Sequence, residues 1–291
     1  MNKFERYWRT FIYRLFPDYF WKPYARFSKS LGIEKPFLIL SFDCDTDEDI
    51  IAAKKIHDWL GERNSKGVFA VPGTQLRKGK NEFRQMSKEG ACFINHGGAA
   101  HAKYEGGRYW SVNFYNQMSH KEIKADIKLG HSLLLEVIGR EPKGFRAPHF
   151  GHFQKKSQLS FLYSYLIELG YKFASTTTPI FLLKNGPVIK YTNYFKEIPV
   201  SGLYRYPLRL FDSWSYVQSP YNPQITQRYQ SDFENLIKNV VTKGIPVVLN
   251  HYVDPSHVAD SHYFYDAIQY AIDFGVQIIS YSELLKKINE N

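Results

Sequence analysis

The sequence contains little cysteine and no long apolar segment. Only Cys44 and Cys92 occur among its 291 residues, so the chain cannot build a disulfide framework, and this composition fits a reducing compartment. No run of 18 apolar residues is present, which predicts that no segment crosses a membrane. The first 36 residues also lack the uninterrupted apolar stretch of a secretory signal. We therefore expect a cytoplasmic protein.

The composition is that of a folded and moderately basic chain. Hydrophobic residues make up 44% of the sequence, which is enough to fill a large core. Lys and Arg outnumber Asp and Glu by 38 to 28, giving a net charge of +10. A positive field attracts anionic partners, including phosphate-linked substrates, anionic membranes and nucleic acid. Because no zinc-finger, RNP or basic-helix pattern is present, we do not expect nucleic acid binding.

Residues 1–36 form a basic and aromatic segment with eight Lys or Arg against three Asp or Glu. Apolar side chains recur at helical spacing over residues 3–16, and Pro17 ends this pattern. Aromatic side chains opposite basic ones are typical of a helix that lies in a membrane interface. A helix that packs on the protein body or on a second subunit has a similar pattern. The second aromatic run, residues 19–27, is interrupted by Pro23 and is interpreted as a linker or short turn. The apolar positions of the first helix are Phe4, Tyr7, Trp8, Phe11, Ile12, Leu15 and Phe16.

From residue 37 onward, short apolar strands alternate with amphipathic helices. This alternation predicts an α/β fold with a parallel sheet, and about seven such units fit an irregular (β/α) barrel. Residues 176–230 are rich in Tyr, Pro and Asn and are interpreted as an elaboration over the barrel mouth. We therefore divide the chain into a helical segment at 1–36 and a barrel at 37–291. The predicted strands are 37–42, 67–71, 91–95, 171–174, 246–250 and 276–279, and the predicted helices are 47–62, 119–138, 156–169, 232–242 and 261–274.

Residue types that bind metals follow three of the predicted strands. Asp43 and Asp45 end the first strand, His96 and His101 follow the third, and His251 follows the strand before the last. Parallel barrels place their active sites at the carboxyl ends of the strands, so we expect these side chains to meet at one rim. Two histidines and one carboxylate form a catalytic metal site that leaves positions open for water and substrate.

These residues belong to a series of short motifs that resembles the NodB-type polysaccharide deacetylases, carbohydrate esterase family 4. That family is recognised by five ordered motifs, and residues 37–280 offer a candidate for each in the same order. The resemblance implies a barrel of the polysaccharide-deacetylase type. The five candidates are Ser41-Phe42-Asp43-Cys44-Asp45, His96 with His101, Phe145-Arg146-Ala147-Pro148-His149-Phe150, Phe211-Asp212-Ser213-Trp214 and Leu249-Asn250-His251.

The resemblance implies a divalent metal, most simply Zn²⁺, bound by Asp45, His96 and His101. The two histidines are five residues apart, where the family usually has four, and Gly97-Gly98 between them suggests a looped ligand segment. His120 and His131 are alternatives for the second histidine ligand.

The resemblance also implies the catalytic roles. Asp43 is expected to be the general base and Arg146 to orient it. His251 is expected to be the general acid and Asp212 to support it. Substrate contacts are expected from Trp214, Leu249, Pro148 and His149.

The implied function is hydrolysis of the N-acetyl group of an amino sugar. Since no export signal is visible, we expect a nucleotide- or lipid-linked intermediate of surface glycan biosynthesis, handled in the cytoplasm or at the inner face of the membrane. A homo-oligomer is compatible with the sequence. Two alternatives remain open: hydrolysis of a small non-sugar amide or imide, and glycan binding without catalysis. Cys44 is expected to be a small buried residue, and the histidines left without a role are His57, His152, His257 and His262.

Overall fold

Two N-terminal helices precede a series of alternating strands and helices. The computed structural model describes residues 3–289. The strands are β1 (Phe37–Asp43), β2 (Val68–Val71), β3 (Cys92–Asn95), β4 (Ala102–Glu105), β5 (Arg108–Ser111), β6 (Gly144–Phe145), β7 (Phe173–Ala174), β8 (Ile189–Lys190), β9 (Lys196–Glu197), β10 (Val217–Ser219), β11 (Asn222–Ile225), β12 (Val248–Val253) and β13 (Gln277–Ile278). The helices are α1 (Lys3–Leu15), α2 (Asp18–Ser30), α3 (Glu48–Gly61), α4 (Gly73–Lys78), α5 (Lys80–Lys88), α6 (His120–Ile138), α7 (Lys156–Glu168), α8 (Leu182–Asn185), α9 (Gln227–Thr242), α10 (Pro255–Val258), α11 (His262–Asp273) and α12 (Tyr281–Asn289), with short 3₁₀ helices at Tyr115–Gln117, Pro179–Phe181 and Trp214–Tyr216.

A curled and mostly parallel sheet forms the centre of the protein. Its strands follow the order β12-β1-β2-β3-β6-β7-β9-β8, and β13 pairs with the start of β1. All neighbouring strands on this path are parallel except β8 and β9. Every residue of β1 is buried, as expected for a strand covered on both faces. The seven parallel strands of this path confirm the predicted irregular (β/α) barrel.

Backbone and side-chain hydrogen bonds bridge the seam between the two ends of the sheet. The backbone N–H of Ser201 donates to the carbonyl of Asn250 (2.8 Å), and the N–H of Asn250 donates to Ser201 Oγ (3.0 Å). The Tyr24 hydroxyl, from α2, donates to the carbonyl of Val248 (2.9 Å). These contacts occupy the backbone groups of Val248 and Asn250 on the side of β12 that has no neighbouring strand.

Helix α2 occupies the region that we interpreted as a linker around Pro23, and that interpretation is wrong. Proline removes one helix hydrogen bond, but α2 buries an aromatic face that stabilises the helix through packing. Phe20, Trp21 and Tyr24 are all buried. Trp21 Nε1 also donates to the carbonyl of Tyr204 (2.9 Å). The free energy gained by burying these aromatic side chains therefore outweighs the loss of one helix hydrogen bond at Pro23.

The aromatic face of α1 does not pack on the barrel. Phe4 is 79% exposed and Trp8 57% exposed, and Tyr7, Phe11 and Leu15 are exposed beside them. The opposite side of α1 contacts α2. There, the buried Tyr13 ring packs edge-on against the ring of Phe20. The interpretation that the aromatic face of α1 packs on the protein body is therefore wrong. A membrane interface and a second subunit remain as interpretations of this face. No helix among residues 3–289 has the length and apolar character needed to cross a membrane.

The long helix α6 begins as the sequence predicts. Ser119 and Glu122 form a capping box, in which each side chain accepts a hydrogen bond from the other's backbone N–H. The hairpins β4–β5 and β10–β11 were not predicted. The β4–β5 hairpin directly follows His101 in the chain, and both hairpins contribute to the walls of the candidate site.

Candidate active site

A cavity of about 500 Å³ opens at the carboxyl ends of β1 and β12. The first strand contributes carboxylates, the segment after β3 contributes a histidine, and the hairpins supply aromatic walls. This is the rim at which the strand-end argument places the site. Charged and aromatic side chains form much of the cavity wall, among them Asp43, Asp45, Asp49, His101, Arg108, Tyr109, Trp110, His149, Phe150, Trp214, Tyr252, Asp254 and His257.

Asp45, His96 and His101 converge beside this cavity. Asp45 Oδ1 lies 3.4 Å from His96 Nε2 and 3.2 Å from His101 Nδ1. The ligand atoms of the three residues all lie within 4.8 Å of one another. Burial opposes ionisation of Asp45, but the two histidines outweigh it and hold the pKa of this carboxyl well below its usual value. The carboxylate is therefore ionised and available as a ligand.

The orientation of the two rings fits a divalent metal. The carbonyl of Arg146 accepts from His96 Nδ1 at 2.8 Å, which leaves the Nε2 lone pair facing Asp45. Nε2 of His101 is buried and has no hydrogen-bond partner among residues 3–289, so its ring is held mainly through Asp45. Two imidazoles and one carboxylate match the donor set of a catalytic zinc site. His120 and His131 lie outside this cluster and contact Phe161 and Tyr171 instead.

A clamped loop explains the unusual spacing of the histidines. Gly97 has a φ of +87°, and a Cβ at this position would lie 2.4 Å from Asp126 Oδ2. Asp126 Oδ1 accepts hydrogen bonds from the N–H groups of Gly98 (3.0 Å) and Ala99 (2.7 Å). The loop thereby folds back and brings the two rings to a centroid distance of 4.4 Å. Because the segment from His96 to His101 is a loop and not a helix, a spacing of five residues still brings both histidines to the same site.

Asp43 is held by a buried arginine. Arg146 Nη1 donates to Asp43 Oδ1 at 2.6 Å, and the second carboxylate oxygen lies 3.9 Å from His96 Nε2. Burial disfavours the charged guanidinium, but the Asp43 carboxylate more than offsets it and raises the pKa of Arg146. Its Nη2 donates to Tyr281 (2.7 Å) and to the hydroxyls of Ser41 and Ser175. The carboxylate is thus fixed beside the metal ligands with one oxygen turned toward them.

A second histidine–carboxylate pair lies across the cavity. His257 Nδ1 lies 3.2 Å from Asp254 Oδ2 and 3.0 Å from Ser213 Oγ. The Trp214 ring packs edge-on against the imidazole at 4.5 Å. Burial lowers the pKa of His257 to about 3 and raises the pKa of Asp254 well above its usual value. Both shifts favour the uncharged form of the pair, with a proton on Asp254 and none added to His257.

A family model matches part of the sequence. Residues 33–171 match the family model described as polysaccharide deacetylase. Over these residues, which span just under half of the chain, the sequence is similar to the polysaccharide deacetylase family. The matched region contains Asp43, Asp45, His96, His101 and Arg146, whereas the β12 end of the site lies outside it. No curated protein matches the sequence.

Solved structures share the polysaccharide deacetylase fold at low sequence identity. A Mycobacterium smegmatis protein assigned to the polysaccharide deacetylases is 17% identical, with a TM-score of 0.65 over 88% of this chain and 91% of that one. A peptidoglycan N-acetylglucosamine deacetylase is 15% identical, with a TM-score of 0.51 over 87% and 89%. A pseudoenzyme of carbohydrate esterase family 4 from Bacillus anthracis is 10% identical, with a TM-score of 0.52 over 88% and 67%. The fold therefore occurs in both enzymes and pseudoenzymes.

The assignment of His251 as the deacetylase acid needs correction. Its side chain points away from the cavity, and its Nε2 lies 2.7 Å from the Tyr229 hydroxyl of α9. Phe211 and Phe233 pack on the ring, and burial lowers the pKa of His251 to about 3. A ring enclosed between the sheet and its helices cannot reach a substrate at the strand ends. His251 is therefore a core residue.

Three other expectations for the deacetylase motifs also change. Leu249 lies on the same outward face of β12 as His251 and is part of the hydrophobic core, so it does not line an acetyl pocket. Asp212 accepts a hydrogen bond from the N–H of Ser215 (2.8 Å) and has no hydrogen bond to His251 among the described residues. Pro148 is buried and takes no part in the cavity wall. His149 and Trp214 do line the cavity, as expected of substrate-contacting residues.

The sequence assigns no role to His257 or Asp254, and Ser213 stands out only as a member of the fourth motif. One signal was available, because Asp254 comes directly after β12, at the same end of the sheet as Asp43 and Asp45 at the end of β1. Cys44 is fully buried, as predicted. Burial raises its pKa, and the carboxylates of the site, Asp49 first among them, add to this shift.

Proposed function

We propose that the protein is a divalent-metal-dependent deacetylase that hydrolyses the N-acetyl group of an amino sugar. The observation that carries this proposal is the convergence of Asp45, His96 and His101 beside an Arg146-bound Asp43. This set offers three candidate metal ligands and a separate carboxylate base at one cavity. A protein that only bound glycans would have no need for a buried base fixed by a buried arginine.

The residues divide the hydrolysis between them. A divalent cation bound by Asp45, His96 and His101 would polarise the amide carbonyl and lower the pKa of a water molecule. Asp43 takes the proton from the attacking water through the oxygen that Arg146 leaves free. The water oxygen then forms the new bond to the acetyl carbon, and the C–N bond breaks. The products are acetate and a free amino sugar.

We assign protonation of the leaving amine to His257. Its ring lies in the cavity wall, and Asp254 and Ser213 hold its Nδ1 so that Nε2 is the atom left for the substrate. A proton held by the buried Asp254–His257 pair can pass from Nε2 to the nitrogen as the C–N bond breaks. Transfer of the Asp254 proton to Nδ1 then restores the neutral ring.

The substrate that we propose is a nucleotide- or lipid-linked intermediate of surface glycan biosynthesis, deacetylated in the cytoplasm. Aromatic side chains suited to stacking against sugar rings, Tyr109, Trp110 and Trp214, form much of the wall. The net charge of +10 favours an anionic carrier.

Metal analysis combined with acetate release tests this proposal. We expect one divalent ion per chain and acetate release from N-acetylated sugars that stops when a chelator removes the metal. His96→Ala should lose both the metal and the activity, because it removes one of three protein ligands. His120→Ala is the matched control, since this ring stacks on Phe161 away from the site. The readouts are elemental analysis of the purified protein and an enzymatic assay for acetate.

Two outcomes would contradict the proposal. A His96→Ala protein with full metal and full activity would remove the metal site from the mechanism. A metal-loaded wild-type protein that binds N-acetylated glycans without releasing acetate would instead be a pseudoenzyme on this fold.

We also propose that the aromatic face of α1 contacts the membrane surface. Exposed apolar area of this extent usually marks an interaction site. Arg6 and Arg14 are exposed beside the aromatic side chains, and residues 1–36 carry five more basic than acidic residues. Tyr and Trp next to cations favour the headgroup region of an anionic bilayer.

Vesicle sedimentation tests the membrane contact. Wild-type protein should sediment with phosphatidylglycerol-containing vesicles, and a variant with serine at Phe4, Trp8 and Phe11 should not. Tyr194→Ser, which removes an equally exposed aromatic residue elsewhere, is the control. Arg6→Gln should weaken binding about fivefold, and added salt should diminish that difference. If the wild-type protein is a dimer that does not sediment with vesicles, and the triple variant is a monomer, the aromatic face of α1 binds a second copy of the chain.

A further inference from the structure

Arg108 lies at the junction between the catalytic cavity and a neighbouring cavity of about 390 Å³. The two cavities share Thr46, Tyr109, Trp214 and His257 in their walls, so they form one continuous cleft. The Arg108 guanidinium stacks on the Trp110 ring at 3.4 Å, and the Tyr221 ring lies 5.7 Å away on the other hairpin. The cation is therefore held between aromatic surfaces at the middle of the cleft.

No carboxylate of the described chain forms an ion pair with Arg108. Its Nε is buried and has no hydrogen-bond partner within residues 3–289. The other charged groups near the second cavity already have partners. Glu48 accepts the Tyr109 hydroxyl hydrogen bond, and Lys55 pairs with Asp260 at 2.7 Å. Arg108 is thus the cation in the wall of the second cavity that can still donate hydrogen bonds to a ligand.

Arginine recognises phosphate because its planar N–H groups match two phosphate oxygens at once. Stacking on Trp110 keeps the guanidinium flat and limits the loss of side-chain entropy when a ligand binds. The continuous cleft also offers more room than one sugar ring next to the catalytic residues requires.

We propose that Arg108 binds a phosphate group that the substrate carries next to its N-acetylated sugar. This inference rests on the proposed deacetylase function and narrows its substrate class. The sugar lies in the catalytic cavity, and its phosphate faces Arg108 at the entrance to the second cavity. Nucleotide-linked and lipid-linked sugars share this phosphate, and the rest of either carrier would extend along Tyr221.

Deacetylation of matched neutral and phosphorylated sugars tests the proposal. N-acetylglucosamine 1-phosphate and UDP-N-acetylglucosamine should have a higher kcat/KM than N-acetylglucosamine. Arg108→Gln should lower kcat/KM for the phosphorylated sugars about 10- to 100-fold, mainly through KM, with a much smaller effect on the neutral sugar. Arg108→Lys should recover part of the loss.

Lys121→Gln on α6 is the control, because it removes the same charge away from the cleft. It should leave kcat/KM unchanged for both the neutral and the phosphorylated sugar. If N-acetylglucosamine 1-phosphate is the better substrate and the uridine adds nothing, the carrier is not a nucleotide.

Equal losses for the neutral and the phosphorylated sugar in Arg108→Gln would overturn the proposal, because Arg108 would then only support the hairpin. Absence of any preference for phosphorylated sugars in wild type would overturn it as well. Failure of the deacetylase function itself is distinguishable by calorimetric titration of N-acetylglucosamine 1-phosphate into the metal-loaded protein. Binding that Arg108→Gln abolishes, without acetate release, would retain the phosphate site and reject the reaction.

Discussion

Replacing Asp43 with asparagine is expected to lower kcat about 10²- to 10⁴-fold while the metal remains bound. The amide keeps the size of the side chain and can still accept from Arg146 Nη1, but it cannot take a proton from water. Asp45→Asn should instead lower metal occupancy, because Asp45 is the carboxylate closest to both histidines. Steady-state kinetics and metal content, measured on the same preparations, separate the two roles.

A thermal unfolding control is needed for Asp43→Asn. Arg146 would lose its carboxylate partner within the core, and breaking a buried pair typically costs about 3–5 kcal/mol. Its remaining bonds to Ser41, Ser175 and Tyr281 should limit this cost. Activity must therefore be compared well below the Tm of the variant. If Asp43→Asn empties the metal site and Asp45→Asn does not, the two aspartates have the opposite roles.

Replacing His257 with glutamine is expected to reduce amide hydrolysis about 10²- to 10⁴-fold, whereas His251→Gln should retain turnover. His257 lies in the cavity wall with its partner Asp254, while His251 is enclosed by Tyr229, Phe211 and Phe233. His251→Gln should instead cost stability, about 1–3 kcal/mol, because it disturbs a buried hydrogen bond. The kcat of each variant and its unfolding midpoint provide the comparison.

An ester substrate gives a sharper readout of the acid. The leaving group of 4-nitrophenyl acetate departs without protonation, so His257→Gln should lose much less activity on this ester than on an N-acetyl sugar. Asp43→Asn should lose activity on both, since each needs an activated water. Loss of amide turnover in a folded His251→Gln protein, with His257→Gln unaffected, would return the acid role to the motif residue His251.

The sequence was sufficient to predict the barrel and the convergence of the candidate metal ligands. Apolar runs located the central strands, and the carboxyl-end rule brought Asp45, His96 and His101 to one rim although 56 residues separate the first from the last. The loop between the histidines was less accessible to prediction. Its shape depends on Asp126, which lies on α6 and has no sequence signal that links it to Gly98 and Ala99.

The error at β12 has a simple physical origin. Ser41 pairs with Tyr252, and Leu40 pairs with His251. Since Ser41 faces Arg146 inside the barrel, Tyr252 also faces inward and His251 faces outward. A shift of one residue in register reverses which side chains reach the cavity. Because β12 is buried on both faces, its sequence contains no alternation of apolar and polar residues that would reveal the register.

The bridged seam of the barrel has a consequence for association between copies of the chain. An edge strand with free N–H and C=O groups is a template for pairing with another molecule. On β12 those groups at Val248 and Asn250 are already taken by Tyr24 and Ser201. Truncation that removes α1 alone leaves both contacts in place, whereas truncation beyond Tyr24 would remove the hydroxyl that bonds the Val248 backbone and is expected to favour aggregation. The second N-terminal helix would then limit pairing between copies of the chain as well as packing on the barrel.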